Sequence, residues 1–163
     1  MIEEKRILDP CCGSRMFWFN KEHPEALYCD IRELDHVLIW ENAEGKDKRY
    51  ITVRPDVVAD VTDLPFNDGS FWHIVLDPPH IMSFSENAWM GKKYGILPQG
   101  WESFITEAFN ECWRVLKKNG TLNFKWNETQ VTLKDVLKAI PQEPLYGQRG
   151  GRTGKTIWLS FIK

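Results

Sequence analysis

Cysteine is scarce in this chain: Cys11, Cys12, Cys29 and Cys112 are the full set, and no two of them form a C-x-x-C pair. Adjacent cysteines such as Cys11 and Cys12 rarely bridge each other, so the pattern argues against both a zinc site and a disulfide framework. His23, His36 and His73 show no ligand spacing that would rescue a metal reading. No apolar run is long enough to cross a bilayer. The charged opening Glu3-Glu4-Lys5-Arg6 lacks a signal-peptide pattern, so a cytoplasmic protein without a membrane partner is expected. Charge of one sign is also missing. A net charge of −2 gives no global pull toward nucleic acid, and any such binding would need a local basic patch. There is no internal repeat and no low-complexity tract, which excludes solenoids and linker-like chains.

What is present is an ordinary globular composition, 42% hydrophobic and 27% charged over 163 residues. One domain spanning residues 1–163 is expected, large enough for a real core. Short apolar runs recur, and several end in an acid. Ile7-Leu8-Asp9, Ala26 to Asp30, Val57 to Asp60 and Trp72 to Leu76 followed by Asp77 all read as buried strands. If these strands are parallel, four carboxylates line one edge of a sheet, where open α/β sheets bind their ligands. After the first strand, Pro10 to Ser14 reads as a tight turn, with a helix over Arg15 to Phe19 capped by Ser14. Asp30 lies seventeen residues beyond Gly13, near the spacing of about 20 at which an acid meets ribose hydroxyls. A plain turn-capping role for Asp30 is the other reading.

His36 to Trp40 and Arg49 to Val53 flank a polar stretch and predict a hairpin insertion over about 35–54. Residues 81–100 read as a long irregular loop, of the kind that is functional or mobile. Trp101, Phe104, Ile105, Ala108, Phe109, Cys112, Trp113 and Leu116 keep helical spacing and predict a core-facing helix ended by Asn119-Gly120. Thr121 to Trp126 reads as a fifth strand, Thr132 as the cap of a short helix to Ile140, and Pro144 to Tyr146 and Thr156 to Ile162 as closing strands.

The stretch Asp77-Pro78-Pro79-His80 carries the chemistry. Two prolines cannot donate to a ladder and fix two φ angles, so the carbonyls beside them stand in a stiff array. A rigid acceptor pair beside a flat ring suits a planar amino group. A plain Pro-Pro loop after a buried strand is the bland alternative for the tetrapeptide taken alone.

Together these motifs resemble the class I S-adenosylmethionine-dependent methyltransferases, and within them the small phage and prophage enzymes. Ile7 to Ser14 is similar to the family's first motif, which implies that Asp9, Pro10, Cys11, Cys12 and Gly13 wrap the methionine part of the cofactor. Asp30 with Ile31 stands at the ribose-binding acid, and Asp60 with Val61 at the adenine-contacting segment. Asp77-Pro78-Pro79-His80 resembles the motif of methyltransferases acting on adenine N6 or cytosine N4. The resemblance implies a Rossmann-like α/β fold with a mostly parallel sheet of about seven strands and an antiparallel last strand. It also implies S-adenosylmethionine as cofactor and nucleic acid, DNA ahead of RNA, as substrate. Two departures stand out. Arg15 replaces a second glycine, where it either crowds the cofactor or swings away, and His80 replaces an aromatic residue and adds a group that titrates near neutrality.

On this reading Asp77 and the Pro78 carbonyl hold the amine hydrogens, while His80 and Trp126 clamp the ring. Lys92, Lys93 and Tyr94, together with Arg149, Arg152 and Lys155, supply the phosphate and base contacts; solvated loop charges are the alternative. Rival readings are a non-catalytic cofactor-binding or interaction protein of the same fold, and a methyltransferase of RNA, a protein amide or a small amine. The run Gly150 to Thr156 imitates a phosphate-binding loop, but Arg149 stands where its first glycine belongs and a strand follows instead of a helix. The sequence carries no signal of oligomeric state.

Overall fold

The computed structural model describes residues 5–82 and 89–163. In chain order the elements are β1 (Ile7–Asp9), β2 (Ala26–Asp30), β3 (Leu34–Glu41), β4 (Lys48–Val53), β5 (Val57–Val58), β6 (Phe71–Leu76), α1 (Trp89–Tyr94), α2 (Trp101–Val115), β7 (Leu116–Asn127), α3 (Leu133–Ala139), β8 (Tyr146–Gly150) and β9 (Thr156–Ile162). Seven strands form one sheet in the order β5-β2-β1-β6-β7-β9-β8. The first five run parallel, β9 is antiparallel to β7, and β8 is antiparallel to β9. This is the expected mostly parallel sheet with an antiparallel last strand. β3 and β4 pair only with each other, as an antiparallel hairpin between β2 and β5.

The strand order reverses at β1. The chain leaves β1 toward β2 and β5, then returns to its other side at β6, and such reversals open a crevice beyond the carboxyl ends of the strands. Asp9 ends one of the two strands beside that crevice and Asp77 directly follows the other. Alternation then decides which face packs. Leu122, Phe124 and Trp126 of β7 and Ile157, Leu159 and Phe161 of β9 are buried, while the residues between them stay accessible. The helices complete that face. Ile105, Ala108, Phe109, Cys112 and Val115 of α2 recur at helical spacing and are buried together, with Val136 and Ala139 of α3 in the same core. Among the described residues, no helix is long and apolar enough to cross a membrane.

Several elements differ from the sequence expectation, each for a tertiary reason. No helix forms after the first turn. Arg15, expected inside the helix, takes left-handed backbone (φ 54°), as does Gly13 (φ 48°) before it; a right-handed helical turn cannot include such a residue, and the chain runs through turns to β2. The Arg15 guanidinium explains the change: it donates to the Lys21 carbonyl at 2.6 Å and the Arg54 carbonyl at 2.7 Å. It also lies 3.7 Å from the centre of the Tyr28 ring and reaches Asp56 at 3.4 Å. Arg15 therefore swings away from the predicted cofactor side and pins the turn segment to the chain before β5. Part of the stretch expected to be an irregular loop forms α1; the rest of it includes residues 83–88, which lie outside the described residues.

The helix expected to run to Asn119-Gly120 stops at Val115. Leu116 is already extended and pairs with Phe71, and the Asn119 N–H donates to the Lys163 carbonyl at 2.7 Å. The third strand shortens to Val57–Val58. The strand expected near Pro144–Tyr146 lies instead at Tyr146–Gly150, where β9 supplies its partner and a Cβ on Gly147 would fall 2.4 Å from Leu159. Gly151 to Lys155 is the turn of that hairpin, with no helix to make a phosphate-binding loop.

Replacing Arg15 with Ala removes two hydrogen bonds, an ion pair and a ring contact from a largely covered side chain. A loss of about 1–3 kcal/mol is expected. Urea denaturation measures it, with the midpoint falling and the slope unchanged.

Candidate active site

Asp9, at the end of β1, is fully buried and faces neither cavity described below. Its carboxylate accepts from the Trp18 indole N–H at 2.8 Å and from the Cys11 N–H at 3.3 Å, so it organises the turn from beneath. Among the described residues, no cation pairs with it. Burial pushes its pKa up to about 7, against the Trp18 hydrogen bond and with help from the nearby Asp77 charge.

Asp30, at the end of β2, is also buried but fully bonded. One oxygen accepts from the Arg32 backbone N–H at 3.0 Å and its Nε at 2.9 Å; the other accepts from the Gly13 N–H at 2.9 Å and Arg32 Nη2 at 3.1 Å. Through Nη1 the same guanidinium donates to the Lys92 carbonyl of α1 at 3.2 Å. Arg32 thus ties the β2 acid to the segment across the crevice.

Asp77 follows β6 and meets a residue that the sequence reading assigned no functional role. Lys125 of β7 places its Nζ 2.5 Å from Asp77 Oδ2. The pairing follows from register: Leu76 lies opposite Phe124, so the next position on each strand comes side by side at the sheet edge. Burial raises the Asp77 pKa, and the Lys125 charge works against that rise.

Two cavities adjoin here, and Asp77, Cys11, Arg32 and Tyr94 line both. The first, of about 380 Å³, adds Pro10, Asp30, Ile31, Asp60 and Val61, with Phe104 of α2 as an apolar wall. The second, of about 270 Å³, adds Cys12, Gly13, Pro78, His80, Phe17 and Lys125. The residues singled out from the sequence therefore collect around two joined spaces, with Asp9 beneath them. Pro79 lines the first cavity beside Asp77.

Three aromatic or basic assignments change. Trp126 is fully buried, stacks on Phe124 and donates its indole N–H to the Val131 carbonyl at 3.0 Å, so it is core and offers no face to a ligand. Tyr94 is the aromatic residue beside His80 in the second cavity, their ring centres 6.0 Å apart. His80 does not titrate near neutrality: burial first and the Lys125 charge second lower its pKa to about 4, leaving a neutral ring. Of the basic residues, Lys93 lines the second cavity, whereas Arg149 is ion-paired with Glu128. Arg152 and Lys155 are exposed at the β8–β9 turn, on the same sheet edge as the cavities because Thr156 pairs with Asn127.

No family model and no curated protein matches this sequence. Solved structures do match its fold. The PH0226 protein of Pyrococcus horikoshii OT3 aligns with a TM-score of 0.57 at 12% identity, over 96% of this chain and 81% of that one. A TehB-like SAM-dependent methyltransferase of Corynebacterium glutamicum aligns with 0.52 at 14% identity, over 98% and 80%. The geranyl diphosphate C-methyltransferase of Streptomyces coelicolor, solved with Mg2+, geranyl diphosphate and S-adenosyl-L-homocysteine, aligns with 0.52 at 10% identity, over 97% and 70%. At these identities the likeness is one of fold, and this chain has the fold of S-adenosylmethionine-dependent methyltransferases.

The unpaired Asp9 makes stability depend on pH. Unfolded, its carboxyl ionises near 3.8; folded, near 7. Between those values the folded chain holds a proton that the unfolded chain releases, so the contribution is complete below the lower value and is lost as pH rises through the upper one. The size is on the order of 4 kcal/mol. Asp9→Asn cannot ionise and is expected to flatten this dependence, measured by urea midpoints from pH 5 to pH 8.

Proposed function

We propose that the chain is an S-adenosylmethionine-dependent methyltransferase that transfers a methyl group to an exocyclic amino group of a nucleic-acid base, adenine N6 or cytosine N4, in DNA ahead of RNA. The observation that carries this reading is the position of Asp77. It stands where two adjoining cavities share a wall, followed by two φ-locked prolines and a neutral imidazole, at the carboxyl edge of a methyltransferase-fold sheet.

The residues present suit the cofactor. The first cavity offers Ile31, Val61 and Phe104 as apolar walls for a purine, with Asp30 at one side and Asp60 at its rim. Gly13 and the Pro10–Cys12 turn lie between that space and the second cavity, where they suit the amino-acid end of the molecule. The bound cofactor would supply an electrophilic sulfonium methyl.

The chain's own residues would do the rest. An exocyclic amine is a poor nucleophile because its lone pair is delocalised into the ring. Asp77 Oδ1 and the Pro78 carbonyl would accept its hydrogens and favour the geometry that frees the lone pair. Most of the acceleration would then come from positioning. The second cavity, at about 270 Å³, has the volume for one flat ring, with His80 and Tyr94 both in its wall. A base inside a duplex must be flipped out to enter it, costing a few kcal/mol, roughly, so single-stranded or mismatched targets are favoured. Lys93 on α1 and Arg152 and Lys155 on the β8–β9 turn are the cations of this edge that would meet phosphates.

The experiment is transfer of a labelled methyl group from S-adenosylmethionine to unmethylated DNA, RNA and bulk protein in parallel, with Asp77→Ala as control. Label on DNA is expected, reduced at least ~100-fold by the substitution because an oriented acceptor is lost. Label on RNA or protein alone would replace the polymer named here. No label, with S-adenosylhomocysteine raising the melting temperature, would favour the non-catalytic reading.

A further inference from the structure

Lys125 is the charged residue nearest the proposed reaction centre, and nothing in the reading above uses it. Three contacts fix its ammonium group. It donates to Asp77 Oδ2 at 2.5 Å, lies 5.3 Å from the centre of the Phe17 ring, and lies 5.9 Å from that of Trp158. Trp158 is its partner in the β7–β9 ladder, and Phe17 belongs to the turn segment that stands where a helix was expected. The Phe17 and Trp158 rings meet edge to face at 5.7 Å, so they form one wall. A lysine with no role at the site would extend toward water, where its hydration is worth more. This one is folded inward, with its side chain only 26% exposed.

We propose that Lys125 is the positioning residue of this site: its ammonium group, seated between Asp77 and the Phe17–Trp158 wall, keeps Asp77 a carboxylate and turns its other oxygen, Oδ1, toward the target amine. The inference rests on the methyltransferase reading. A protonated Asp77 would present a donor where the mechanism needs an acceptor. The ammonium occupies one carboxylate oxygen and leaves the other, so the acid cannot rotate freely. In the transfer step the S–CH3 bond breaks as the N–CH3 bond forms, the sulfonium becomes a neutral thioether, and one amine proton leaves to Asp77 or to water. That step needs the carboxylate form at its start.

Other groups face Asp77 and would oppose or share this role. Asp9 from β1 is pushed further up by the Asp77 charge, and Cys11 from the turn after it is a half-buried thiol whose pKa is raised well above its ordinary value. Arg32, after β2, lines both cavities beside Asp77 but spends its guanidinium on Asp30 and the Lys92 carbonyl. Lys93 and Tyr94 of α1 line the second cavity and lie 5.0 Å apart as a cation on a ring. His80, three residues on, is neutral. Among the described residues, Lys125 alone is recorded in direct ion pairing with Asp77.

The test uses the full chain with Lys125→Met and Lys125→Arg. The methyl-transfer pH profile of Lys125→Met is expected to have its acid limb moved up by about one pH unit or more, because Asp77 ionises later without the cation. S-adenosylhomocysteine affinity should change less than about threefold, and Lys125→Arg should keep the wild-type limb. A lower rate with an unmoved acid limb would overturn the proposal and leave Lys125 a packing residue. A second measurement is independent of activity: carbon-13 titration of the Asp77 carboxyl, assigned with Asp77→Asn. A higher Asp77 pKa in Lys125→Met than in wild type supports the role even where no substrate is labelled, in which case the methyltransferase reading fails and the charge pairing stands. An identical Asp77 titration in both proteins overturns it.

Discussion

Buried carboxylates need partners, and the whole edge of this sheet is arranged around that cost. Three neighbouring strands deliver acids to one crevice, and taking an isolated carboxylate out of water is expensive. The chain answers differently at each. Asp30 receives a guanidinium and two backbone N–H groups. Asp77 receives one ammonium on one oxygen. Asp9 receives two neutral donors and no cation, and is held partly protonated instead. The result is a graded set: one acid saturated, one half-engaged and accessible, one in reserve beneath the turn. The half-engaged acid lines both cavities, whereas the saturated one has its acceptor positions filled and Asp9 lines neither.

The segment between β1 and β2 shows how a single side chain redirects local structure. Left-handed backbone at Gly13 and Arg15 prevents the helix that usually follows such a turn. What replaces it is held by Arg15 on Tyr28, Lys21, Arg54 and Asp56, and this delivers Phe17 to the Lys125 wall and Trp18 to Asp9. A helix there would have pointed its side chains on another period. Arg15 therefore shapes the whole segment, with consequences inside the site.

Much of this was legible in the sequence because it is written locally. Thr132 does cap α3 through the Asp135 N–H, β9 spans the residues whose alternation marks it, and Asp9 and Asp30 end their strands with Asp77 directly after its own, because a strand's end is where its apolar run stops; Asp60 lies two residues past the shortened β5. The rest depends on residues far apart in the chain. Lys125 between Phe124 and Trp126 looks like any outward strand residue until β6 and β7 are in register and Asp77 arrives beside it. Trp126 looks like a ligand platform until its side of the sheet is known to be the one that packs in the core with α2 and α3. The end of α2 was misplaced because Leu116, a good helix residue, is claimed by Phe71. Local patterns name the elements; which face and which partner each residue gets is decided by pairing.

Asp30 has one further consequence. Two oxygens with four acceptor positions already take four hydrogen bonds, from Gly13 and Arg32. A diol that took hydrogen bonds at this acid would do so by exchange with the Arg32 or Gly13 donors. The exchange also carries a message, since the guanidinium that is displaced is the one holding the Lys92 carbonyl. Occupancy of the acid at the end of β2 and the grip on α1 are thus two readings of one arginine's position.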